Sequence, residues 1–246
     1  MWMVNSFAKE LDDAKSRRVP LVIPIGTVEY HGLHCSNGLD TMVIEGVLGR
    51  LEKAGKELII APTVWYGVSS YAVAGPEKGT VHVDVDTFEA YITAIVKSLL
   101  EGGHRNIYLL VHHQTEEDAL MPMTLACLKA GKKVIFDLLE KERGIGWWGN
   151  NEMRNYYSEL DGKSNPFNFI KTIPLMSGKV QRLVGGIDHA GKCETSLLAA
   201  LYPLAVDFNR VPLNTEWFAE TAREASVELG EKIVDAIVQD LKEVIT

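Results

Sequence analysis

The sequence predicts an α/β fold: a single three-layer α/β/α domain over residues 1–246 with a mostly parallel central sheet. Three observations carry that expectation. Short runs that are apolar on both faces alternate with amphipathic helical stretches, the pattern of a parallel sheet covered by helices. The 246 residues are 46% hydrophobic and 24% charged, enough to bury a core without a disulfide or metal staple. No internal repeat, linker or low-complexity stretch interrupts the alternation.

The elements follow in order. After an amphipathic start, Leu21-Val22-Ile23-Pro24-Ile25 reads as the first buried strand. Asp40 to Leu51 follows as a helix closed near Gly55, and Leu58-Ile59-Ile60-Ala61 is the second strand. Asp86 to Leu100 sets Phe88, Tyr91, Ile92, Ile95, Val96, Leu99 and Leu100 at helical spacing. Asp86 and Glu89 resemble a capping box there, and Gly102-Gly103 supplies a stop. Ile107-Tyr108-Leu109-Leu110-Val111 is the third strand. Glu116 to Lys129 is a helix with Pro122 near its first turn, and Lys133-Val134-Ile135-Phe136-Asp137 is the fourth strand. Gly144 to Asn168 is irregular, aromatic and rich in Gly and Asn. It is either an excursion over a site or an ordinary surface loop with a packed Trp pair. Thr215 to Val244 makes one or two helices, with a break placed near Gly230.

Charge narrows the function classes. The 25 basic residues against 33 acidic give a net charge of -8, which disfavours a phosphate-backbone binder. The densest basic group is only Lys15, Arg17 and Arg18, so no nucleic-acid partner is expected. Cys35, Cys127 and Cys193 form no CxxC and suggest no disulfide framework. The first residues lack a basic region followed by an apolar run, and no apolar stretch reaches bilayer length. The expected setting is cytoplasmic, with no membrane partner.

In open α/β sheets, ligands bind beyond the carboxyl ends of the strands. The first strand is followed by Glu29, His31, His34 and Asp40 within twelve residues. Carboxylate and imidazole together suit Zn, Mn or Fe. Glu29 and His31 are two apart, so an extended segment points both the same way. The alternative is a helix-capping Asp40 and a hydrogen-bonded core His31. His112-His113-Gln114-Thr115-Glu116-Glu117 follows the third strand. An acidic helix start explains Glu116 and Glu117 but not the two histidines. A third cluster, Asp188-His189 with Glu194, precedes an apolar helical run. It is also readable as a turn and an acidic first helical turn. Three such clusters at strand ends and helix starts together point to a metal site.

These residues resemble a known family. Glu29-x-His31-Gly32-x-His34, then Gly38 and Asp40, looks like the signature of the creatininase superfamily: Glu, His two later, Asp eleven later. Asp188-His189-Ala190-Gly191 with Glu194-Thr195-Ser196 resembles its second signature, and Gly79-Thr80-Val81 its central Gly-Thr turn. The motifs run in family order from about residue 20 to 205. The resemblance implies a parallel-sheet α/β fold, two divalent metal ions (Zn, Mn or Fe), hydrolase activity on a small molecule, and a homo-oligomer, often a hexamer. By the resemblance Glu29 binds one metal, His31 the other, and Asp40 bridges them. The family's Asn-Gly-His-Gly-Gly-Asn segment falls on Val111 to Glu116, and its ligand His matches His113. Neither the Asn nor any Gly of that segment is kept. Creatininases proper carry a metal-binding Glu two residues after this His, where this chain has Thr115. Glu194 is the best candidate for the missing carboxylate; His112 and Glu116 are weaker ones.

The expected chemistry is attack on a carbonyl by a metal-activated water. His189, oriented by Asp188, is the candidate proton carrier, and Trp147, Trp148 or Tyr30 would frame a planar ring. The leading reading is an amidohydrolase acting on a small cyclic amide. Its enzymatic rival is a carbon–carbon hydrolase opening a cyclic diketone such as 3-dehydro-scyllo-inosose, a diketo-inositol. The reading from a different class is a non-catalytic binding relative.

Overall fold

The computed structural model describes residues 1–115, 121–155, 158 and 162–246. Its centre is a four-stranded sheet of β1 (Leu21–Ile25), β2 (Ile59–Ile60), β3 (Ile107–Val111) and β4 (Ile170–Pro174), ordered β2-β1-β3-β4. Every pairing is parallel: Leu21 sits opposite Ile59 on one side and Ile107 on the other, and Ile107 opposite Ile170. β1 and β3 are buried along their whole length, which explains their unbroken apolar sequence. Pro24 is tolerated in β1 because its carbonyl, which accepts from Val64 N–H, faces the side where β2 has already ended.

Helices cover both faces. These are α1 (Ala8–Ser16), α2 (Leu39–Lys53), α3 (Val85–Glu101), α4 (Pro122–Arg143), α5 (Gly178–Val184), α6 (Lys192–Leu201) and α7 (Val227–Val244). Alternate strand residues feed separate cores. Val22, Ile60, Tyr108 and Leu110 pack with α2, α6 and α7. Leu21, Ile23, Ile25, Ile107, Leu109 and Val111 pack with α3 and α4. The expected three layers follow from this period-two alternation. No helix among the described residues is long and apolar enough to cross a membrane. Cys35, Cys127 and Cys193 are buried free thiols.

Four local expectations are corrected. Lys133 to Asp137 is not a strand but part of α4, whose buried Met123, Ala126, Cys127, Ala130, Val134, Ile135 and Leu139 continue one helical stripe. The fourth strand is instead Ile170–Pro174, a half-buried edge whose Lys171 and Thr172 hide it from an apolar-run search. α4 begins at Pro122, where the missing N–H goes unused; Glu116 and the rest of 116–120 lie outside the described residues. α3 starts at Val85 after Asp84, and Glu89 pairs with Lys129 of α4 rather than capping. The C-terminal break falls at Ala225-Ser226, between a 3-10 stretch (Trp217–Glu224) and α7, which Ser226 caps through Leu229 N–H at 3.1 Å. Gly230 lies inside α7.

Of the two readings of Gly144 to Asn168, the described residues support the packed one. Trp147 and Trp148 stack edge-on at 5.9 Å, and Trp147 lies 5.8 Å from Phe136 and 6.0 Å from Phe167.

Candidate metal centre

The sheet order reverses direction at β1, and the crevice between β1 and β3 is where such folds place ligands. β1 runs directly into Glu29 and His31. Gly26 lets this segment lie against the first turn of α2, since a Cβ there would stand 2.5 Å from Thr41 Oγ1 and 2.8 Å from its Cα. That contact brings Asp40, in the first turn of α2, beside the strand end. His113 arrives two residues beyond β3. Glu194 projects from the first turn of α6.

Their polar atoms converge. Asp40 Oδ2 lies 3.2 Å from His113 Nδ1, and Asp40 Oδ1 lies 3.5 Å from His31 Nε2. His113 Nδ1 is 3.3 Å from Glu29 Oε2, and His31 Nε2 is 3.6 Å from Glu194 Oε2. The His31 ring is fixed by Nδ1–H donating to the Glu29 carbonyl at 2.9 Å, which turns Nε2 toward the carboxylates. His189 stacks on His31 with centroids 4.3 Å apart. Its Nε2 hydrogen-bonds the Tyr30 carbonyl at 2.9 Å, leaving Nδ1 4.0 Å from Glu29 Oε2. Two turns here hold left-handed backbone at non-glycine residues, Gln114 (φ 47°) and Ala190 (φ 52°). The second aims the Ala190 N–H at Glu194 Oε2, 2.7 Å away.

Burial makes the charges consequential. Glu29, His31 and Asp40 are each no more than 2% exposed. Burial pushes the Glu29 carboxyl up despite the neighbouring His113. It also pushes Glu194 up, to about 8, against the pull of His31 and with Asp40 adding to the rise. Burial opposes charge at Asp40 too, yet His31 and His113 hold its carboxyl well below the usual carboxylate range. Burial disfavours a charged His31, but Asp40, Glu194 and Glu29 together carry it up to about 10. Three carboxylates, Glu29 and Asp40 buried and Glu194 partly so, thus share too little positive charge, and Glu29 and Glu194 shift toward protonation.

A cleft of about 830 Å³ opens over this cluster. Its wall includes His112, His113, His189, Glu194, Trp217 and Phe218. The Phe218 ring meets His189 edge-on at 5.2 Å.

The family model for creatininase (creatinine amidohydrolase) matches residues 5–245. The chain belongs to the creatininase family. Its similarity to curated and solved creatininases agrees. It is 26% identical to creatinine amidohydrolase of Pseudomonas putida over 250 aligned residues, covering 92% of this chain and 88% of that one. A shorter match, 30% identical over 97 residues, is to 3-dehydro-scyllo-inosose hydrolase of Thermotoga maritima, covering 39% of this chain and 30% of that one. A crystal structure of creatinine amidohydrolase superposes with a TM-score of 0.71 at 22% identity, covering 99% of this chain and 96% of that one. A structure named Creatininase Mn gives 0.70 at 21% identity over the same shares. At these identities the superpositions speak to the fold.

Against the family pattern, the structure gathers Glu29, His31, Asp40, His113, His189 and Glu194 at one point. Asp188 is the exception. Its carboxylate accepts the α6 amides of Cys193 at 2.7 Å and Glu194 at 3.1 Å, so it caps that helix instead of orienting His189. The Tyr30 carbonyl takes the orienting role. His34 turns away from the cluster, held by Thr195 and Asn214 at 2.9 Å each. Trp147 and Trp148 do not line the cleft; Trp217 and Phe218, missed in the sequence, do. Their only sequence signal was an adjacent aromatic pair at a helix start. His112 and His113 both reach the cleft, because the strand has ended and alternation no longer separates them, but only His113 meets Asp40 and Glu29.

The cluster fits metal ions. Both Glu29 carboxylate oxygens and His31 Nε2 are buried with no hydrogen-bond partner among the described residues, although buried polar atoms are ordinarily paired. Ligand atoms within 4.8 Å of one another group as Glu29-Asp40-His113, His31-Asp40-Glu194 and Glu29-His31-His189.

Proposed function

We propose that this chain is a metal-dependent amidohydrolase that cleaves a small, cyclic amide-type substrate over the Asp40 cluster. One observation carries the reading: Asp40 is shared between the Glu29-Asp40-His113 and His31-Asp40-Glu194 groups. Its Oδ2 serves the first and its Oδ1 the second. Imidazole with carboxylate oxygen is a donor set for Zn, Mn or Fe. When bound, a pair of such ions lowers the pKa of water and stabilises charge developing on a substrate carbonyl oxygen. Glu194 then supplies the carboxylate that Thr115 cannot.

The chain's other residues do the positioning. With His189 Nε2–H committed to the Tyr30 carbonyl, Nδ1 faces the cluster as a proton acceptor. Burial, followed by the charge of His31, lowers its pKa to about 4, so the ring is neutral near pH 7. In this reading the ring takes the proton that the attacking water gives up and hands it to the leaving nitrogen, an assistance typically worth about 10²–10⁴ in rate. Trp217 and Phe218 line the cleft mouth and offer aromatic faces that a flat ring can stack on.

A second reading is hydrolysis of a carbon–carbon bond in a cyclic diketone, favoured by the partial similarity to 3-dehydro-scyllo-inosose hydrolase. There the leaving group is an enolate. The test is metal analysis of protein made in metal-replete medium, with creatinine, a formamide and 3-dehydro-scyllo-inosose assayed side by side. Two ions per chain and amide cleavage are expected; diketone cleavage alone selects the second reading. Protein without ions or turnover overturns both.

We extend the reading to one hydrolase domain over 1–246 and to a cytoplasmic homo-oligomer. The family match over 5–245 supports the first. Light scattering tests the second.

A further inference from the structure

His112 is the one buried histidine at this cleft that the metal reading does not use. Its amide donates to the Ile25 carbonyl at 2.9 Å, so the backbone is held by the end of the sheet. The side chain is only 5% exposed, and it lines the cleft beside His113. Neither Nδ1 nor Nε2 has a hydrogen-bond partner among the described residues. It belongs to none of the groups whose atoms can share an ion. Two residues on, Gln114 Oε1 is buried and unpartnered as well, at a backbone turn with φ 47°.

A neutral imidazole has one donor and one acceptor, and burying both unpaired is unfavourable. A Leu or Phe would fill such a place without that penalty. The ring's position makes sense if something entering the cleft completes its hydrogen bonding. We propose that His112 is a substrate-binding residue that hydrogen-bonds a polar group, a hydroxyl or amide, beside the scissile carbonyl. This rests on the hydrolase reading and deepens it: the preferred substrate carries a hydrogen-bonding group next to the bond that breaks. A purely hydrocarbon flank leaves the imidazole unpaired and is disfavoured.

The test uses the metal-loaded protein and two variants, His112→Phe and His112→Asn, with three measurements: bound metal, thermal midpoint, and kcat and KM on whichever of creatinine, a formamide or 3-dehydro-scyllo-inosose the unaltered protein cleaves. His112→Phe is expected to keep both ions, raise the thermal midpoint by a few degrees, and lower kcat/KM by about 10- to 100-fold, the loss of one well-made hydrogen bond. His112→Asn, which keeps a donor and an acceptor, is expected to recover most of that loss. A lower midpoint in His112→Phe would show that the ring supports the fold. Loss of an ion would make it a ligand, and an unchanged kcat/KM would leave it without a substrate. Each of these overturns the proposal. If the unaltered protein binds ions but cleaves nothing in the panel, the hydrolase reading fails by itself. The midpoint then still decides: a rise supports a ligand-facing His112, a fall refutes it.

Discussion

Replacing Asp40 by Asn removes one negative charge while keeping the shape of the side chain. Asp40 is 2% exposed, so water screens it little. One oxygen stands 3.2 Å from His113 Nδ1 and the other 3.5 Å from His31 Nε2, so the same charge serves both ligand groups. Opposite unit charges about 4 Å apart, at an effective dielectric of about 20, attract by about 4 kcal/mol. That figure corresponds to roughly a thousandfold in a dissociation constant. Asp40→Asn should therefore weaken two ions together, each by about three decades. Glu194→Gln, whose residue enters only the group with His31 and Asp40, should weaken one. The assay is metal content by mass spectrometry after dialysis against a mild chelator, with circular dichroism to confirm the fold. The expected contents are two ions for the unaltered chain, one for Glu194→Gln and close to none for Asp40→Asn. An Asp40→Asn protein that keeps both ions, or a Glu194→Gln protein that loses both while Asp40→Asn loses one, would refute the shared-carboxylate reasoning.

Three further outcomes are expected. His189→Gln should keep both ions yet lose about 10²–10⁴ in kcat; steady-state kinetics beside metal analysis checks this, and full turnover would remove the proton role. Asp188→Ala should cost about 1–2 kcal/mol, because the α6 amides of Cys193 and Glu194 lose their cap; urea unfolding of the metal-free protein measures it, and an unchanged midpoint would contradict the capping role. Gly230→Ala should destabilise by about 3 kcal/mol or more, because its Cβ would stand 1.9 Å from the Ser196 carbonyl oxygen and drive α7 off α6. Calorimetry reads that directly, and a loss under 1 kcal/mol would mean the two helices separate more easily than their packing implies.

What the sequence determined by itself is whatever neighbouring residues dictate. The doubly buried strands Leu21–Ile25 and Ile107–Val111 are legible because burial on both faces leaves no polar position along them. The Glu29-x-His31 spacing and Asp40 at a helix start were readable for the same local reason. The tertiary structure decided everything that depends on what lies opposite. Lys133 to Asp137 looked like a strand until the stripe running from Met123 to Leu139 made it helix, and the edge strand Ile170–Pro174 was hidden by its half-exposed side chains. Asp188 and Glu194 are both acids near one helix start, read in the sequence as the partner of His189 and as a metal carboxylate. Only the fold turns one onto the α6 amides and the other toward His31. Trp217 and Phe218 reach the cleft because the chain returns past α6, a contact that no spacing encodes. Local preference fixes the form of a segment, whereas the partner of a buried charge is fixed by chain closure across long sequence separations.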